Sequence, residues 1–432
     1  MNIESIYRTA NPKSLAEFER TRKSMPGVAK GAYYVKPFPL TMARGDGCFL
    51  EDIDGHRYVD FAGHHTAQIL GHGHPMIVEA VQKQLAAGIA TAAPMGVEAN
   101  LAEEICRRVD SVDLVRFCNS GTEASIHAIR LARVYSGKPK VAKFEGGYHG
   151  SHDGVEISGV PVPGKSGPVE APQPVATASG MAPHALDAVI VLPYDDEAAV
   201  ESLVTKHKEE LACVLLDPKC GLLPQRPEFI QAVREITHRH GILLILDEIV
   251  GFRTKPGGIQ TIYGITPDIT LFGKIIGGGF PIGAFGGRAD VMSVLDPTQE
   301  GRLFQSGTFS GHPVGMVAGL AMLKALTPDA LTHLNSLTTR LHGGLADVFN
   351  RRNIDAHVVS TGSVFSIYFQ KKSPVIARDI LFHDTQKEHE LFLSLVNQGH
   401  YLGSGTQMCS LSLPMNQSHV DGLIEASERA LS

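Results

Sequence analysis

Three apolar runs in this chain end on residues able to do chemistry. Ala212-Cys-Val-Leu-Leu stops at Asp217, Ile242-Leu-Leu-Ile-Leu at Asp247, and Ile269-Thr-Leu-Phe-Gly at Lys274. Runs of this length and composition read as buried strands. In open parallel sheets, ligands bind beyond the carboxyl ends of the strands. A lysine held there in a dry pocket, beside other charges, has a lowered pKa and becomes a nucleophile and a base. The Asp247 carboxylate and the Lys274 amine, at the ends of successive strands, would be brought near one another. On these residues alone a buried ion pair explains the pattern equally well.

Neighbouring motifs shift that balance. Asn119-Ser-Gly-Thr-Glu-Ala124 follows the strand predicted at Val115–Cys118 and opens a predicted helix. A Ser-Gly-Thr turn at a helix start offers backbone N–H groups, two hydroxyls and the positive end of the helix dipole, which suits a phosphate. Serine and threonine are also ordinary N-caps, so the turn by itself is ambiguous. Gly147-Tyr-His-Gly150, after the strand predicted at Val141–Phe144, carries an aromatic ring able to stack on a planar group. The run Gly277-Gly-Gly-Phe-Pro-Ile-Gly-Ala-Phe-Gly-Gly287, just after Lys274, reads either as a flexible loop or as backbone packed closely against a ligand.

The elements that must position these residues follow from periodicity. From about Glu98 to Met292 short apolar strands alternate with helical stretches. Further strands are predicted at Ala188–Leu192, Cys213–Leu216, Leu243–Leu246 and Ile269–Phe272, with helices at Glu123–Ser136, Glu197–Glu210 and Pro227–His240. This alternation predicts an α/β fold: a mostly parallel central sheet in a large domain, helices on both faces, and a smaller α/β domain. Boundaries are placed at 1–62 for an N-terminal segment belonging to the small domain, 63–321 for the large domain, and 322–432 for the C-terminal small domain. Ser14–Ser24 reads as a helix, and Asp54-Gly55 as a hairpin turn. Ser363–Phe369 and Cys409–Leu413 read as strands. Gly159–Pro183, rich in Pro, Gly, Ala and Ser, has no periodicity and reads as a surface loop or a lid over the site.

Composition excludes several classes. The 432 residues are 43% hydrophobic and 19% charged with a net charge of −6, and the basic residues form no long block, so neither nucleic acid nor a membrane is expected as a partner. Six scattered cysteines form no CxxC pair, which argues against a disulfide framework or zinc and for a reducing cytoplasm. The adjacent His64-His65 find no third ligand at suitable spacing, so no metal is expected. The N-terminal stretch lacks the apolar core of a signal peptide.

Five ordered pieces then carry a family resemblance: Asn119-Ser-Gly-Thr-Glu-Ala, Gly147-Tyr-His-Gly, Leu246-Asp-Glu-Ile-Val-Gly-Phe-Arg, Gly273-Lys-Ile-Ile-Gly-Gly-Gly-Phe-Pro-Ile-Gly-Ala-Phe-Gly-Gly-Arg288 and Ser306-Gly-Thr-Phe-Ser-Gly311. Together they resemble the class III aminotransferases, fold type I enzymes dependent on pyridoxal 5′-phosphate (PLP), and most closely the glutamate-1-semialdehyde 2,1-aminomutase group. The resemblance implies that Lys274 carries the cofactor as a Schiff base and shuttles the proton. It also implies that Asp247 pairs with the pyridine nitrogen, that Ser120, Gly121 and Thr122 hold the phosphate, and that Tyr148 stacks on the ring with His149 beside it. Thr308 would come from a neighbouring subunit to the same phosphate, implying a homodimer with shared active sites. The expected reaction is amino transfer between an amino donor and a keto acceptor, the cofactor alternating between PLP and pyridoxamine phosphate (PMP). Alternatives on the same scaffold are an aminomutase and an amino-acid racemase or epimerase.

The resemblance weakens around the substrate. Val28-Ala-Lys-Gly-Ala-Tyr-Tyr-Val-Lys-Pro37 holds no arginine where the aminomutases bind a carboxylate, and Lys30 or Lys36 lacks the bidentate fork. Tyr33, Tyr34, His64, His65 and Asp217 are the candidate pocket residues. The shortened Asp217-Pro-Lys-Cys-Gly-Leu-Leu-Pro224 and the segment Ser404-Gly-Thr-Gln-Met408 also depart from the family pattern.

Overall fold

The computed structural model describes residues 2–300 and 303–432. They form two compact units: one of residues 2–75, 329–373 and 382–432, the other of residues 76–328 and 374–381.

The second unit is built on a seven-stranded sheet: β1 Leu114–Cys118, β2 Lys140–Phe144, β3 Val189–Leu192, β4 Leu211–Leu216, β5 Leu243–Asp247, β6 Ile269–Gly273 and β7 Gly283–Gly287. Their spatial order is β1-β7-β6-β5-β4-β2-β3. The central strands β4, β5 and β6 are buried at every position, so both faces are covered and the sequence shows runs rather than alternation. Neighbours pair in parallel from β6 through to β3, and β7 pairs antiparallel with both β6 and β1. Pairing of Asp247 with Leu271 brings the carboxyl ends of β5 and β6 to the same edge. Helices Gly121–Ser136, Glu197–His207 and Pro227–Arg239 follow β1, β3 and β4, close to their predicted bounds.

Strand β7 departs from the flexible-loop reading of the last part of Gly277–Gly287. Its last five residues, Gly-Ala-Phe-Gly-Gly, are a fully buried strand. Gly283 and Gly287 serve close backbone approach within the protein. A Cβ on Gly283 would lie 2.0 Å from the Ser120 carbonyl oxygen, and one on Gly287 2.1 Å from that of Asp268.

The first unit carries a four-stranded sheet of Met42–Asp46, Phe49–Asp52, Arg57–Asp60 and His400–Tyr401. The hairpin falls at Asp54-Gly55 as expected. A three-stranded sheet joins His357–Thr361, Val364–Tyr368 and Cys409–Ser410, so the second C-terminal strand is shorter than expected. The N-terminal helix runs over Pro12–Thr21 rather than Ser14–Ser24, since proline suits its first turn. Among the described residues no single helix is long and apolar enough to cross a membrane, and no group of His, Cys, Asp and Glu is arranged to hold a metal ion.

Gly283→Ala should destabilise the protein by about 1–3 kcal/mol or more through overpacking. Gly343→Ala, exposed within the helix Pro328–Arg351 with nothing within 4 Å of its added carbon, should stabilise it by about 0.5–1 kcal/mol. Thermal unfolding of the two variants checks the opposite signs.

Candidate active site

The phosphate-type turn is built where β1 passes into the helix Gly121–Ser136. Ser120 is the N-cap, in extended conformation, and its hydroxyl oxygen accepts the Glu123 N–H at 3.1 Å. Glu123 reaches back to the Asn119 N–H at 2.9 Å. The N–H groups of Gly121 and Thr122, as first residues of a helix, lie beyond the reach of intrahelical acceptors. With the positive helix end they form an anion cradle.

Asp247, at the end of β5, is almost fully buried. One carboxylate oxygen accepts the Ile249 N–H at 3.1 Å, and the other lies 2.8 Å from Nδ1 of the buried His149. A buried carboxylate needs such partners to remain charged. Nε2 of His149 is buried and has no hydrogen-bond partner among the described residues. Such a group calls for a ligand or water.

Glycines bring the pieces together. A Cβ on Gly150 would lie 2.6 Å from the Thr122 hydroxyl, so the turn bearing Tyr148 and His149 presses against the cradle; Ser151 N–H donates to that hydroxyl at 3.3 Å. A Cβ on Gly121 would lie 2.6 Å from Ile249 Cδ1, and one on Gly273 3.6 Å from Ile249 Cγ1. Ile249 thus packs beneath both the cradle and the residue preceding Lys274, while its N–H fixes Asp247. Sequence reading passed over Ile249, whose one signal was its place inside the Leu246–Arg253 motif. Lys274 begins a short 3-10 turn after β6 with φ 48°, in the left-handed region that non-glycine residues rarely occupy. Such backbone strain concentrates at functional sites. Tyr148 is 63% exposed, presenting its ring.

Ser120, Gly121, Thr122, Tyr148, His149, Asp247 and Lys274 therefore all lie in the second unit, at or just beyond the carboxyl ends of β1, β2, β5 and β6. The residues fit the cofactor: a cradle of amides for a phosphate, a buried carboxylate for a protonated ring nitrogen, an exposed ring for stacking, and a lysine. Thr308 is in the same unit and exposed. Asp217 turns its carboxylate to Lys219, accepting that residue's N–H at 2.8 Å with Nζ 3.4 Å away.

Two other lysines are buried nearby. Lys143 is fully buried and donates to the carbonyls of Gly147 and Ile157 at 2.8 and 2.5 Å. Burial, then the charge of Lys219, lowers its amine to about 7. Lys219 donates to the Gly146 carbonyl. Glu248, beside Asp247, points away from the cradle; it accepts the N–H groups of Ile259 and Gln260 at 2.9 Å, and burial raises its carboxyl to about 7.

In the first unit, Tyr33, His64 and His65 line a cavity of about 430 Å³ with Phe18, Leu40 and Met42. The Tyr33 hydroxyl lies 2.8 Å from His64 Nδ1 and 3.0 Å from Lys30 Nζ, and its ring stacks on His65 at 4.8 Å. Burial and the Lys30 charge hold His64 below the usual histidine range. Gly63, His64, His65 and Thr66 all have φ between 50° and 72°. Tyr34 does not line this cavity: it is 45% exposed and meets Phe18.

The family profile described as aminotransferase class-III matches residues 31–431. Glutamate-1-semialdehyde 2,1-aminomutase of Methanothermobacter thermautotrophicus is 36% identical over 97% of this chain and 99% of its own. An omega-transaminase from Sphaerobacter thermophilus superposes with a TM-score of 0.92 at 40% identity, covering 97% of both chains. A solved transaminase with PLP bound gives a TM-score of 0.88 at 32% identity, over 98% of this chain and 97% of its own. The curated relatives support the aminomutase alternative more than the transaminase expectation. The fold type I architecture and the PLP cofactor hold as expected, and this chain belongs to the class III aminotransferases.

Proposed function

We propose that this enzyme moves an amino group through Lys274, acting as the covalent anchor of PLP and as the carrier of the transferred proton. The observation that carries this reading is the gathering of Lys274, the buried Asp247–His149 pair and the amides of Gly121 and Thr122 along one sheet edge. PLP bound there supplies an electron sink that lets a substrate Cα–H bond break by loss of a proton. Asp247, its two oxygens bonded to His149 and the Ile249 N–H, would pair with the ring nitrogen and favour its protonated form. Lys274 Nζ takes the proton and returns it at a neighbouring carbon.

For the specific reaction the aminomutase reading stands first, because curated relatives matched over nearly the whole chain bear that name. Such an enzyme shifts the amino group between adjacent carbons of one substrate. Intermolecular transamination is kept as a second reading. It is favoured by the absence of arginine from Val28–Pro37 and by the 40%-identical omega-transaminase. In either case Tyr33, His64 and His65 are proposed to contact the substrate. The six cysteines are free thiols, which supports a cytoplasmic setting.

A homodimer with shared sites is proposed on Thr308. It is exposed between Phe304 and Phe309, two aromatic residues that are 71% and 62% exposed and that a second subunit would cover.

Purified enzyme given glutamate-1-semialdehyde without any keto acid should isomerise it if the aminomutase reading holds. Turnover only of an amino acid paired with a keto acceptor would instead establish the transaminase. Mixing inactive Lys274→Ala and Thr308→Asp subunits should restore about a quarter of wild-type activity, since half the dimers then hold one intact site. No recovery would place Thr308 in its own subunit's site.

A further inference from the structure

Two cations outside the cradle each hold the turn that bears Tyr148 and His149 with one hand and the segment after it with the other. Lys143 Nζ donates to Gly147 in the turn and to Ile157 at the root of the segment. Arg378 grips both oxygens of Glu145 at 2.8 and 3.0 Å, and it also donates to the carbonyls of Ser166, Gly167 and Pro168 at 3.0, 2.9 and 3.2 Å. The segment is otherwise tied mainly to itself. Ser158 N–H donates to the Val175 carbonyl, Gln173 N–H to that of Ser166, and Ile157 bridges Ala176. Among the described residues, its other hydrogen bond to the turn runs from the Gly146 N–H to the Ser158 carbonyl, at 2.7 Å.

Both anchors are costly to give up. Lys143 has no carboxylate within ion-pair range among the described residues, so carbonyl dipoles alone offset its charge when it is protonated; Lys219, Asp217 and Glu145 are the charged groups around it. Glu145 and the Arg378 side chain are largely buried, and a buried pair is strongly destabilised by loss of one partner. Moving the 157–176 segment away therefore breaks contacts on the turn itself. The next residues of that turn are Tyr148, presented for stacking, and His149, bonded to Asp247.

We infer that Lys143 and Arg378 are positioning residues that couple the order of the 157–176 segment to the seating of the cofactor on Tyr148 and His149. The inference rests on the reading of the Lys274 site as the PLP site. Coupling of this kind is reciprocal: if the ordered segment favours cofactor binding, the cofactor must order the segment to the same degree.

The test is hydrogen exchange of residues 158–175 and protease cleavage within them, in apoprotein and at saturating PLP, beside the PLP dissociation constant. In the wild type, PLP should slow both exchange and cleavage by about tenfold. In Lys143→Met and Arg378→Met the segment should open faster, PLP should bind about tenfold more weakly, and protection by PLP should be lost. Lys165→Ala, at an exposed position of the segment, should change neither. PLP binding to the wild type without any change in exchange would overturn the coupling, even if neither variant folds. Variants with a mobile segment but unaltered PLP affinity would overturn it too. Failure of the wild type to bind PLP would overturn the reading of the site itself, and the coupling with it.

Discussion

The Asp247 carboxylate is the group on which the site depends. It lies at the buried edge of the sheet, where an uncompensated charge costs several kcal/mol. The Ile249 N–H and the His149 imidazole hold its two oxygens and offset that cost. That requirement fixes the backbone just after β5 and the turn after β2 relative to each other. The turn in turn presents Tyr148 and leaves His149 Nε2 buried without a hydrogen-bond partner among the described residues. One electrostatic need thus places three of the groups proposed to meet the cofactor.

Close approach does the rest. Ile249 packs where Gly121 and Gly273 lack side chains, and Gly150 lets the Tyr148 turn touch Thr122. Strand β7 enters beside β1 and β6 because its glycines leave room for the carbonyls of Ser120 and Asp268. The cradle and the lysine are therefore positioned by glycine backbone packed closely on the Ile249 and Thr122 side chains and on neighbouring strands, which leaves little room to shift. That stiffness suits chemistry in which a lysine amine must meet one carbon and then another.

Much of this was legible in the sequence, for definite physical reasons. Strands buried on both faces must be apolar throughout, so Leu211–Leu216, Leu243–Asp247 and Ile269–Gly273 announce themselves, along with the polar residues that end them. Ser120-Gly-Thr reads as a helix start because its hydroxyl and amides have that use. Strand Gly283–Gly287 was not legible: glycine has weak strand preference, and the reason for it lies in neighbours distant in the chain. Tyr33 and Tyr34 could not be told apart, since a short 3-10 turn decides which ring enters the cavity. Ile249 gave no sign, because an aliphatic residue becomes a hub only through what folds around it. Lys143 did leave a trace, as a lysine inside an otherwise apolar strand, but its task depends on Gly147 and Ile157.

Three lysines near the carboxyl edge of the sheet make the assignment of the covalent residue a sharp question. Lys143 has a lowered pKa and Lys219 is buried beside Asp217, yet both donate to backbone carbonyls that hold the Tyr148 turn. Lys274 stands at the end of β6, in a strained conformation next to Ile249 and Asp247's strand. Borohydride reduction of the PLP-loaded enzyme, followed by peptide mass mapping, locates the linked cofactor directly. The account predicts the pyridoxyl group on the peptide containing Lys274 and its absence from Lys274→Ala; a label on Lys143 or Lys219, or none on the wild type, would contradict it.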